Sequence, residues 1–285
     1  MLDSKETAKI EQFVYSKPRS IQEIATHIGK NWRTADRHVL EIEKNYGTLS
    51  TRTFREGTRG ALKIVYWASV EKISKSVFQE ELEKQILAAG KTKYDFSPFD
   101  IFQHIKDNEK KAIIFNPPQD NEERRDEMNQ AILCAEKQLL FFSGNMSFIN
   151  DKTKKYDPFD LMEKLAKKGV VIKILTRVDF PGKANIERME SINHRVGKEV
   201  VEIRHCRQPL RAIIIDGKLL KIKEMEEPTK KQNETQKADI IVYNITSREW
   251  IEWMTKLFWK MFSNSISAEK RLQEINKLKS FTAQK

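Results

Sequence analysis

Asn31, Arg33, Thr34 and Arg37 sit together near the start of a short amphipathic stretch, and Arg52, Arg55, Arg59 and Lys63 follow on a β-rich ribbon. An arginine fork matches guanine O6 and N7, and a threonine hydroxyl meets a base edge or a phosphate. Cations on a ribbon meet the phosphate backbone or the minor groove, contacts that position a protein and make its binding salt-dependent. One set is thus suited to read bases and the other to grip backbone, which predicts a double-stranded DNA partner. The competing reading is a protein-contact module with ordinary solvated arginines.

A second group lies in the C-terminal half. Arg204, His205, Arg207 and Arg211 surround the end of one apolar run, Ser143 and Asn145 follow another, and Asp216 follows a third. Ligands of open α/β sheets bind outside the carboxyl ends of the strands. Ser143, Asn145, Arg204, His205, Arg211 and Asp216 are therefore expected to line a pocket for a small anionic or polyhydroxylated ligand. The alternative is a surface cluster with an internal Arg211–Asp216 salt bridge. His104 stands alone, His194 is expected to be exposed, and His27 and His38 fall at helix core edges. Cys134 and Cys206 have no metal or disulfide spacing. No metal, cofactor or catalytic group is expected from these residues.

These groups need elements to hold them. Ser20 and Glu23 have the spacing of a capping box, Ile21, Ile24, Ala25 and Ile28 give an inner face, and Gly29 ends the helix. Asn31 caps a second helix, Trp32–Asn45, with Ala35, Val39 and Ile42 inward and His38 beside them. Strands at Thr48–Arg55 and Ala61–Trp67 follow, joined by residues 56–60. Residues 1–69 thus predict an α+β winged helix-turn-helix. Residues 70–118 predict a linker helix, striped by Val70, Ile73, Val77, Leu82, Ile86 and Leu87, and an aromatic docking segment. The linker helix either pairs with its own copy or packs on a flanking domain. Over 119–262 helices alternate with apolar strands at Gln138–Phe142, Val170–Leu175, Val200–Arg204, Ala212–Asp216, Leu219–Lys223 and Asp239–Tyr243, an α/β layered domain around a central sheet. Met225–Lys237 reads as a loop, a helix capped by Thr246 and Glu249 closes the domain, and 263–285 reads as a basic tail, frayed or weakly helical.

The balance of 52 basic and 41 acidic residues, a net charge of +11, favours a polyanionic partner, nucleic acid before an anionic membrane surface. No apolar run approaches the ~20 residues that cross a bilayer, and Met1–Ile10 lacks the apolar core of a signal peptide. With two cysteines in no framework, a reducing cytoplasm is expected.

The stretch SIQEIATHIGKNWRTADRHVLEIEKNYG resembles the winged-helix domains of archaeal and bacterial transcription regulators. AEKQLLFFSGN, FDLMEKLAKKGVVIKILTR and HCRQPLRAIIIDGKLLKIKE resemble the phospholipase D superfamily, whose pattern is His-x-Lys, four residues, then Asp. Aligned on Asp216, the lysine position holds Arg211 and the histidine position Pro209; starting instead from His205 and Arg207, the aspartate would fall on Ala212. The resemblance implies a phospholipase D-like sandwich whose nucleophile is missing, and so not an enzyme. A winged helix followed by such a domain resembles the archaeal TrmB-type regulators. That implies a cytoplasmic homodimer on double-stranded DNA, with a C-terminal domain that dimerises and senses an effector, a sugar or an anion. The alternative is a phosphodiesterase or nuclease that uses the winged helix to dock its substrate.

Overall fold

The computed structural model describes residues 4–16, 18–55, 61–67, 77–89, 92–115, 121–225 and 240–282. Arg59, the linker positions Val70 and Ile73, and most of the Met225–Lys237 loop lie outside them.

The N-terminal unit runs α1 (Ser4–Ser16), β1 (Arg19–Ser20), α2 (Ile21–Ile28), α3 (Trp32–Asn45), β2 (Leu49–Arg55) and β3 (Ala61–Trp67). Its strands form an antiparallel sheet in the order β1-β3-β2. The expected caps form. The Glu23 N–H donates to Ser20 Oγ at 3.2 Å, and the Ser20 N–H donates to Glu23 Oε2 at 2.7 Å. Gly29 adopts φ 68°, a left-handed conformation that costs a residue without Cβ little. Asn31 Oδ1 accepts from the Thr34 N–H at 2.9 Å. The three helices and the ribbon close over Ile10, Val14, Ile24, Ala35, Val39, Ile42, Leu49 and Val65.

The C-terminal part is built on an eight-stranded mixed sheet. Its strands are β4 (Lys110–Phe115), β5 (Gln138–Phe142), β6 (Val171–Thr176), β7 (Val201–His205), β8 (Ala212–Ile215), β9 (Leu219–Met225), β10 (Ile240–Ile245) and β11 (Ile266–Ser267). The order is β11-β7-β6-β5-β8-β9-β10-β4; β5, β6 and β7 run parallel and the other pairings are antiparallel. Successive side chains of β5 point to opposite faces, as the pleat requires. Leu139 and Phe141 meet helices α6 (Asn121–Leu133), α7 (Pro158–Lys167), α8 (Lys183–Val196) and α10 (Ala268–Thr282). Leu140 and Phe142 meet α4 (Val77–Ala89), the short α5 (Phe99–Phe102) and α9 (Arg248–Ser263). A strand buried on both faces is apolar throughout, which is why QLLFF does not alternate.

Two expectations are corrected here. Ala268–Thr282 is helical, as one reading of the tail allowed, but the segment after α9 is not a loose tail: Ile266 and Ser267 pair with β7, and α10 buries Ala268, Leu272 and Ile275 in the main core. Those three residues keep helical spacing, but the charges between them disguise the stripe. The closing helix begins at Arg248 after Ser247, and Thr246 does not cap it; its N–H and hydroxyl go to the Glu109 carbonyl at 2.9 and 3.3 Å.

The two parts pack together. Tyr15, Trp67 and Trp259 form an edge-to-face chain with ring centroids 4.9 and 5.0 Å apart, contacts worth about 0.5–1.5 kcal/mol per pair beyond burial. Lys137 lies over the Tyr46 ring at 5.7 Å, and a Cβ on Gly47 would sit 3.7 Å from Lys256 Cγ. The C-terminal end of α3 thus faces α9 and the residue that leads into β5.

Candidate functional site

The first half of α3 presents its outer face to solvent. Asn31, Arg33 and Arg37 are exposed and Thr34 is half-buried, while Ala35, His38, Val39 and Ile42 face the core. The Arg33 guanidinium lies 5.5 Å from the centre of the Trp32 ring, and Trp32 itself is 52% exposed. On the ribbon Arg52 is exposed and Arg55 ends β2. Lys63 differs from the expectation of a cation offered to solvent. Its Nζ lies 2.5 Å from Asp36 Oδ1, so it ties β3 to α3.

The six residues expected in the C-terminal pocket separate. Ser143, Asn145 and Arg211 come together; Arg204, His205 and Asp216 do not. Arg204 points to the face covered by the N-terminal unit. Its Nε donates to Glu202 at 2.9 Å, its Nη1 donates to the Phe262 and Ser265 carbonyls at 3.0 and 3.1 Å, and it stacks over Tyr15 and Phe262. Burial pushes it down to about 10. His205 Nδ1 accepts from the Val178 N–H at 2.9 Å, and burial, then Arg271 and Arg207, hold the ring below its ordinary value. Asp216 is a structural hub. Its carboxylate accepts from the Glu136, Lys137 and Gln138 N–H groups, each at 2.8 Å. It follows β8 at the far end of that strand from Arg211, so the alternative of an Arg211–Asp216 salt bridge does not form either.

What gathers instead is a cavity of about 400 Å³ at the carboxyl ends of β5 and β6. β8 runs antiparallel to β5, so Arg211, just before β8, arrives beside Ser143 and Gly144, just after β5. β9 returns and brings Lys223, and α6 brings Arg124 and Arg125. Among the described residues Lys93 and Arg177 complete six cations on the wall, against one lining carboxylate, Asp151. Arg125 pairs with Asp151 at 3.1 Å and Arg177 with Asp179 at 2.5 Å. Arg211 Nη1 donates to the Leu210 carbonyl at 2.7 Å, and its guanidinium lies flat on Gly144. A Cβ there would meet Nη2 at 2.7 Å, so only glycine admits this approach.

The cations strain one another. Burial holds Arg211 below its usual value, and Arg177 adds to the effect. Burial lowers Arg124 as well. Lys223 is pushed down to about 8, first by burial and then by Arg124, with Lys93 and Arg211 adding and Asp151 opposing. Beside the cations the wall carries Asn129, Ser143, Asn145 and Ser147 and an apolar part made by Met128, Phe141 and Phe148, the two phenylalanine rings stacked at 5.0 Å. Sequence reasoning missed Lys93, Arg124, Arg125, Arg177 and Lys223. The rule that selected Ser143 would have found Arg177, since it directly follows β6.

Pro209 is buried in the loop before β8. Among the described residues no cluster of histidine, cysteine and carboxylate side chains is arranged to hold a metal, and no helix is long and apolar enough to cross a membrane.

No protein-family model matches the chain, and no curated protein matches its sequence. Solved structures similar to it include TrmBL2, described as an archaeal chromatin protein with a novel mode of DNA binding, at 12% identity and a TM-score of 0.38, over 92% of this chain and 93% of that one. Nuc from Salmonella typhimurium, a phospholipase D family member, is similar at 13% identity and a TM-score of 0.40, over 56% of this chain and 98% of that one. NucT from Helicobacter pylori is similar at 13% identity and a TM-score of 0.39, over 56% of this chain and 99% of that one. None of these likenesses is deep enough to carry a residue's role across.

Proposed function

We propose that the chain is a DNA-binding transcription regulator of the TrmB-like kind. The N-terminal unit is its winged helix-turn-helix, and a phospholipase D-like C-terminal domain dimerises and takes a small-molecule effector. The observation that carries the reading is the division of α3: its C-terminal end faces the C-terminal part, where Lys137 lies over Tyr46, while the half bearing Arg33 and Arg37 stands open to a major groove. The neighbouring ribbon would then follow the backbone with Arg52 and Arg55. A two-fold dimer would present two such helices to half-sites about one helical turn, ~34–36 Å, apart or a multiple of it. The setting is cytoplasmic.

The domain is read as non-catalytic because Pro209 offers no nucleophile or acid where the phospholipase D pattern needs histidine. The phosphodiesterase reading keeps one support, the cation-lined cavity, whose charges suit a phosphate. A genomic footprint of the bound protein tests the choice. Discrete protected sites built from paired half-sites are expected. Uniform coverage without sites, or no protection, would remove the regulator reading.

A further inference from the structure

We infer that the cavity at the ends of β5 and β6 takes an organic oxyanion of charge two or more joined to an apolar or aromatic body, and not a neutral sugar. This names the ligand class of the effector site proposed above and rests on that part of the reading. It does not rest on DNA binding.

Charge comes first. Arg125 and Arg177 already have carboxylate partners at 3.1 and 2.5 Å. Among the described residues Lys93, Arg124, Arg211 and Lys223 have no carboxylate at ion-pair distance, although all four line the same 400 Å³ cavity. They stand on four different segments, so the fold brings like charges together at a cost that a bound anion would offset. The Arg211 guanidinium is fixed across Gly144 by the Leu210 carbonyl. A planar fork held this way suits an oxyanion edge-on. A neutral polyol would leave the four charges unpaired.

The apolar wall sets the rest of the ligand. Met128, Phe141 and Phe148 offer a flat face without donor or acceptor, and of the neutral polar groups beside it Ser143 Oγ and Asn145 Oδ1 already accept from the Met146 and Ser147 N–H groups at 3.0 and 3.2 Å. Inorganic phosphate would reach the cations and leave that wall uncovered, while an aromatic phosphate would cover both.

Lys223 adds a proton to the binding. It faces Arg124 from α6, Lys93, Arg211 and Asp151. Cations crowd it when the cavity is empty, and an anion would restore its charge. Above about pH 8 the empty protein has lost that proton, so binding must take one up and affinity must fall with rising pH.

The test uses the intact chain without DNA. Calorimetric titration and thermal melting would be run with 1-naphthyl phosphate, inorganic phosphate, 1-naphthol and maltose. 1-Naphthyl phosphate should raise the melting temperature and bind at least about tenfold more tightly than the other three. Its affinity should fall from about pH 7 to about pH 9 in the wild type but not in Lys223→Met. Gly144→Ala should displace the Arg211 guanidinium and weaken binding at least about tenfold, while the melting temperature of the free protein stays near wild type, because the end of a flexible side chain can give way. A melting response to maltose but not to 1-naphthyl phosphate would overturn the inference. So would unchanged 1-naphthyl phosphate binding in both variants. Either result leaves the DNA-binding reading standing, since no DNA is present.

Discussion

Arg33→Ala combined with Arg37→Ala is expected to cost the chain about 2–4 kcal/mol of affinity for its footprinted duplex, roughly thirty- to thousand-fold. Both guanidinium groups lie on the exposed half of α3, one turn apart on a helix whose other face, Ala35, Val39 and Ile42, shares a core with Ile24. They can be removed without opening the core, so circular dichroism and melting of the double variant should match the parent. Each arginine that reads a guanine as a fork is worth about 1–3 kcal/mol and gives discrimination at one position. Arg52→Ala should behave differently. Removing one phosphate-binding cation from the ribbon weakens all duplexes alike and lowers the salt slope by about one. Lys63→Ala acts by a third route, releasing the Asp36 ion pair that ties β3 to α3. Fluorescence anisotropy on the footprinted duplex and on a scrambled one separates the three.

Asp216→Ala is expected to destabilise the C-terminal part by about 3–5 kcal/mol, read from urea unfolding. Three backbone N–H groups lose a charged acceptor at once, and they belong to Glu136, Lys137 and Gln138, the residues that lead into the central strand β5. The position is also demanding in itself. Asp216 has φ 52° and Gly217 has φ 64°, and the Lys218 N–H closes the turn on the Ile215 carbonyl at 2.9 Å. Two successive positive φ values mark the tight hairpin turns that favour Asp-Gly, and alanine tolerates that conformation poorly. Asp216→Asn keeps one carbonyl oxygen and a residue type that accepts the left-handed region. It should lose about half as much.

Asp216 also shows what a sequence hides. Its place at the end of an apolar run is legible, but the direction of that run is not. β8 lies antiparallel to β5, so its end points away from the cavity while its beginning, Arg211, points toward it. The rule about strand ends holds only for strands known to be parallel. Arg204 and His205 end a strand that is parallel, β7, and still miss the cavity. Arg204 turns to the other face of the sheet, where Tyr15 and Phe262 cover it, and His205 is claimed by the Val178 N–H. Lys223 was hidden because only the return of β9 brings it beside Arg211. The N-terminal elements were far more legible. Ser20, Gly29 and Asn31 act within a few residues of themselves, and local caps depend little on the rest of the chain. The bounds of α3 and β3 follow the expected spans residue for residue.

DNA binding by the exposed half of α3 and its ribbon is tested most directly by titrating the intact chain against duplex DNA over a range of salt. Arg52 and Arg55 of both copies in a dimer, acting on phosphates, predict a linear fall of log affinity with log salt, with a slope of about −4 and a loss of about a hundredfold between roughly 50 and 200 mM. Absence of binding at the lowest salt, or an affinity that does not change with salt, would contradict it.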